Sequence, residues 1–164
     1  MFNFIKKYIA SLVLLISVLL GSIDIDVFGK SVSYYFNLQL ILIYTFKISN
    51  PNLNFRKGIF LFLISIVNDS LNGLFFGTSA ILYFIVFAVA SFQSSIKLRS
   101  IFIAEWISFG VALIIAYVIF FGLINLSGEN VLITNIGLNF LITLICYPLI
   151  WFIILFLFMQ NANR

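Results

Sequence analysis

The run Phe109–Ile124, FGVALIIAYVIFFGLI, contains no charge, and Tyr117 carries its only polar side-chain atom. The apolar stretch around it extends from about Ile101 to Leu126. A bilayer core about 30 Å thick takes about 20 helical residues to cross. Backbone placed in lipid must satisfy its own hydrogen bonds, which leaves helices or closed barrels. Barrel strands alternate apolar and polar residues. This run is continuous, as is Tyr8–Leu20, so helices are expected.

Composition extends the reading to the whole chain. Of 164 residues, 63% are hydrophobic and 9% charged, against about 25% charged in a typical soluble domain. There is too little polar surface to cover a globule. Six apolar segments are expected as helices: Ile5–Ile23, Val32–Ile48, Gly58–Leu74, Phe76–Ile96, Ile101–Leu126 and Ile133–Met159. The expected fold is therefore an all-α integral membrane protein with six transmembrane helices, one polytopic domain over residues 1–164. The first helix is read as an uncleaved anchor, because Leu20 before Gly21-Ser22 makes a poor cleavage site.

Charge placement sets an expected orientation. With six spans and a cytoplasmic N-terminus, Lys6, Lys7, Lys47, Arg56, Lys57, Lys97, Arg99 and Arg164 share the inner side. Lys30 alone falls outside, with Asp24, Asp26 and Glu129. This agrees with the positive-inside rule and puts both termini in the cytoplasm. Lys47 is expected to snorkel its ammonium to the interface. The net charge of +4 then reflects topology beside a lipid bilayer, and no nucleic-acid partner is implied.

One Cys, Cys146, and no His exclude disulfide scaffolds and the common His-based metal sites, so neither cofactor nor metal is expected. No phosphate loop, nucleophile elbow or paired carboxylate with a base stands in the chain. A non-enzymatic protein is the expectation.

The candidate site residues are the polar ones inside apolar segments, which carry an insertion cost and seek partners. Glu105 lies one turn into its helix beside Trp106 and reads as an interfacial anchor. Asp69 lies deeper, with Asn68 and Asn72 sharing a helix face at i and i+4. Asn37 opens the second segment, while Asn135, Asn139, Thr143 and Tyr147 recur every four residues along the last. Asn37, Asn68, Asp69, Asn72, Asn135 and Asn139 are expected to line one cluster. Gly73 and Gly77 fall where the chain must reverse, Gly73 ending the third helix and Gly77 in the turn. Pro148 removes a backbone donor and crowds the Leu144 carbonyl, so a kink is expected.

The stretch Gly58–Ala80, GIFLFLISIVNDSLNGLFFGTSA, resembles the MreD family of rod shape-determining membrane proteins. The resemblance rests on Gly58 opening a helix, Asp69 near its end, Gly73 and Gly77 four and eight residues later, and Ala80. Asn37-Leu-Gln-Leu-Ile-Leu-Ile-Tyr44 is similar to the family's second helix, with Phe36 where a proline is usual, and Tyr147-Pro148 is similar to an aromatic-proline pair in its last helix. The resemblance implies a non-catalytic subunit of the bacterial cell-wall elongation complex (the elongasome) in the cytoplasmic (inner) membrane. Its role would be cell shape and peptidoglycan synthesis. The implied partners are an MreC-like membrane protein, an MreB-like actin homologue and wall synthases. A second expectation is a substrate-binding subunit of an energy-coupling-factor vitamin transporter, also a small helical membrane protein that binds ligand near the outer side.

Overall fold

The structure is a computed structural model and describes residues 11–19, 26–27, 30–31, 36–49, 55–95, 102–127 and 133–159. Residues 11–19 form α1. A two-residue-per-strand hairpin follows, β1 (Asp26–Val27) antiparallel to β2 (Lys30–Ser31), with Asp26 opposite Ser31. Five helices complete the chain: α2 (Leu38–Ser49), α3 (Phe55–Asn72), α4 (Thr78–Ser95), α5 (Phe102–Ser127) and α6 (Ile133–Met159). The outer parts of the first segment, with Lys6, Lys7 and Asp24, lie outside the described residues, as do Lys97, Arg99, Glu129 and Arg164. The cleavage-site residues Leu20-Gly21-Ser22 also lie outside them.

The expectation of six spans is corrected to three. Among the described residues, Thr78–Ser95, Phe102–Asn125 and Asn135–Ile154 are the helical stretches long and apolar enough to cross a bilayer. The apolar parts of α2 and α3, Leu38–Ile48 and Gly58–Asn72, are shorter. At 1.5 Å per residue, the 12 residues of α2 reach about 18 Å, well short of a 30 Å core. Its start explains the shortfall. Phe36 and Asn37 are not helical, and the Leu40 amide donates to Asn37 Oδ1 at 3.3 Å, an N-cap that fixes the helix start. In α3 the first turn is spent on Arg56 and Lys57. The cytoplasmic placement of both termini rested on an even number of spans and falls with the count. What stands, among the described residues, is an all-α membrane protein of six helices, up to three of them long and apolar enough to span.

Packing explains the short α2. Every residue from Gln39 to Lys47 is buried, and a helix apolar all round belongs inside a bundle. Helix α2 packs against α4 and α6, and α4 also contacts α3 and α5, while α5 pairs with α6. Gln39 Nε2 reaches the Ser17 carbonyl of α1 at 3.5 Å, and Leu14 and Val18 of α1 join the core. Helix α4 presents Leu82, Val86 and Ala90 at four-residue spacing, all buried. Lys47 stays buried, its ammonium 5.2 Å from the centre of the Phe87 ring, a cation–π contact.

Candidate functional site

The polar candidates divide among three places. The first is the turn between α3 and α4. Gly73 has φ +64°, the left-handed conformation that ends a helix without a Cβ penalty. The Leu74 amide returns to the Asp69 carbonyl at 2.9 Å, the six-to-one bond of a Schellman motif. The chain then reverses, and Gly77, at φ +99°, precedes α4 with its carbonyl accepting from the Ile81 amide at 3.1 Å. Gly77 thus occupies the N-cap position but has no side chain with which to cap.

Asp69 supplies the missing cap from the other helix. Its Oδ2 accepts from the Gly77 amide at 2.7 Å and its Oδ1 from the Ser79 amide at 2.9 Å. A carboxylate here also meets the positive end of the α4 dipole. The residue is completely buried, and both its oxygens are met by backbone donors of the next helix. Alongside it, Asn68 Nδ2 donates to Ser79 Oγ at 2.8 Å, and Asn72 Nδ2 donates to the Asn68 carbonyl at 2.8 Å. Asn68, Asp69, Asn72, Gly73 and Gly77 are therefore one device that stitches α3 to α4.

The second place lies among α2, α5 and α6. The Asn37 amide donates to Thr143 Oγ1 at 3.0 Å, Thr143 donates to Asn139 Oδ1 at 3.3 Å, and the Tyr117 hydroxyl donates to the same oxygen. Asn135 stands one turn earlier on α6, half-buried. The single cluster expected from the sequence is thus resolved into two hydrogen-bonded groups, one at the α3–α4 turn and one around Thr143. Tyr117 and Ser79 were missing from the candidates. Tyr117 had a signal: the pairs Tyr117–Asn139 and Glu105–Trp151 are both centred on residue 128, the register of an antiparallel α5–α6 hairpin.

The third place joins α5 to α6 around Pro148. Proline cannot donate to the carbonyl four residues before it. The indole Nε1 of Trp106 donates to that carbonyl, Leu144 O, at 3.1 Å. One turn further on, Trp151 Nε1 donates to Glu105 Oε2 at 3.0 Å, while the Tyr44 hydroxyl of α2 donates to the Glu105 carbonyl at 3.0 Å. Aromatic rings surround these contacts. Phe102 lies 4.7 Å from Trp151, and Phe109 stacks on Tyr147 at 4.4 Å, centre to centre. Glu105, read from sequence as an interfacial anchor, is 4% exposed and built into a helix seam.

Chemically, the first two places hold structure. Their carboxylate, amide and hydroxyl groups are turned onto backbone and onto one another, and the arrangement fixes helix ends and crossings. Comparison of this chain with protein families, with curated proteins and with solved structures returns no match.

Proposed function

We propose that this chain is a non-enzymatic membrane subunit that holds other membrane-anchored proteins together, and that its setting is the bacterial cytoplasmic-membrane complex for cell-wall elongation. One observation carries the reading. The motif residues Asp69, Gly73 and Gly77, on which the MreD resemblance rests, act together in one turn. Their spacing therefore answers to a definite geometry and is more than a by-product of apolar composition. The apolar face left outward on α3 is suited to helix–helix contact, with Ile59, Phe62 and Leu63 exposed. The partners would be an MreC-like membrane protein, an MreB-like filament and wall synthases.

Depletion in a rod-shaped host tests this directly: cells are expected to become round, and unchanged rods after clean removal would reject it. A second reading, the vitamin-binding transporter subunit, is favoured by the Asn37–Thr143–Asn139–Tyr117 group inside the bundle. Purification in mild detergent separates the two. Elongation-complex proteins in the eluate support the first, and a bound vitamin without them supports the second.

A further inference from the structure

We propose that the turn between α3 and α4 ends inside the hydrocarbon of the bilayer, where Phe75 and Phe76 lie among lipid acyl chains. Residues 55–95, which hold both helices and the turn, are described without a break. Length is the first argument. Arg56 and Lys57 open α3, and the cost of a charge in hydrocarbon holds them at one boundary. From Lys57 to Gly73 is 16 residues, about 24 Å of helix. Along α4, Gly77 to Gln93 is again 16 residues, about 24 Å. Gln93, Ser94 and Ser95 form the polar end of that helix. Both legs fall about 6 Å short of the thickness of the hydrocarbon core.

The surface of the hairpin is the second. From Ser70 to Ser95 no residue is charged, whereas the segments joining α1 to α2 and α5 to α6 carry Asp24, Asp26, Lys30 and Glu129. Ile59, Leu63, Val67 and Leu71 recur every four residues along one face of α3, all exposed, and lead to the tip. There Phe75 is 63% and Phe76 75% exposed. An apolar surface of this kind calls for an apolar neighbour.

The backbone is the third. Irregular chain is tolerated at membrane depth only where protein meets its polar groups. The amides of Leu74, Gly77, Thr78, Ser79 and Ile81 all have protein acceptors, two of them the oxygens of the sealed Asp69 carboxylate. Asn72, exposed at the same end, turns its amide back onto the Asn68 carbonyl. In water the solvent would serve these groups, and no carboxylate need be buried for them. Acyl chains are the occupant because they surround any tip that stops at this depth. The proposal stands whichever complex the chain serves.

The test is a depth measurement on the full chain. Its one native cysteine is removed by Cys146→Ala. Single cysteines are then placed by Phe62→Cys, Phe75→Cys, Phe76→Cys and Ser95→Cys, all at exposed positions where the fold is not at stake. Each is labelled with a nitroxide in detergent and reconstituted into phosphatidylcholine–phosphatidylglycerol vesicles. Collision of the label with oxygen, which concentrates in hydrocarbon, is compared with collision with a neutral nickel chelate, which stays in water. Oxygen is expected to dominate at Phe75→Cys and Phe76→Cys, as at Phe62→Cys in mid-helix, and the preference to reverse at Ser95→Cys. Nickel dominance at either tip position overturns the proposal, because the turn is then in water. So does oxygen dominance at Ser95→Cys, which breaks the ruler that sets the depth. Weak collision with both reagents at the tip, rising when the chain is diluted in lipid, also overturns it, because the cover is then a second copy of the chain.

Discussion

Asp69 does for α4 what an N-cap residue usually does for its own helix, but from eight positions upstream of Gly77. Its two oxygens each take a different amide, so the isosteric change Asp69→Asn cannot be silent. An amide has one acceptor oxygen, and its NH2 would face a backbone donor. Loss of one bond with one buried amide left unsatisfied costs about 2–3 kcal/mol, measured as a lowered midpoint in denaturant titration of the purified protein in detergent. Gly73→Asn and Gly77→Ala are expected to separate in the same assay. Asn tolerates the left-handed φ of +64° at residue 73, while φ +99° at residue 77 leaves Ala about 1–2 kcal/mol worse. In the sequence, the turn role of both glycines was readable from their place between two apolar segments, where the chain must reverse. The destination of the Asp69 carboxylate was not, because a capping bond between helices depends on the reversal that it helps to hold.

At the scale of elements, α5 and α6 are joined where α6 is weakest. The Trp106 indole fills the vacancy that Pro148 leaves at Leu144. Trp106→Phe is expected to cost about 1–2 kcal/mol in the native chain. In a Pro148→Ala background residue 148 regains its amide and the helix supplies its own donor, so the same change costs less. A double-mutant cycle read by unfolding in detergent should show about 1 kcal/mol of coupling; strict additivity would show that the two residues act independently. Helices α4, α5 and α6 are legible from their length and apolar composition, which suffice to cross a bilayer. Helix α2 is not, since apolarity on every side is the mark of a lipid crossing and of a protein interior alike. What separates the two is length, and length turned on one residue, Asn37, whose side chain ends the non-helical approach at Leu38.

For the whole molecule, burial marks which surface meets lipid. Ile145 lies near the middle of the Asn135–Ile154 span and is 64% exposed. An arginine there faces hydrocarbon, so Ile145→Arg is expected to cost about 2.5–3.5 kcal/mol of insertion, measured as the inserted fraction in a translocation assay. Unchanged insertion would mean that this face of α6 is covered by a partner with polar groups. The sequence made the class of molecule plain through its scarcity of charge, but it could not apportion apolar surface between lipid and neighbouring helices, which set the number of crossings.

The enclosure of α2 has a consequence for biogenesis. The ribosome delivers this helix before α4 and α6, which pack against it. At about 5–20 residues per second, the last of them, α6, follows on the order of ten seconds later. During that interval α2 is too short to rest across the bilayer alone and too greasy to wait in water. The expected outcome is shelter by a membrane insertase or a lipid-facing chaperone, checked by crosslinking from α2 in a nascent chain arrested before α6 emerges; a chain that gives no such crosslink would mean that α1 alone suffices.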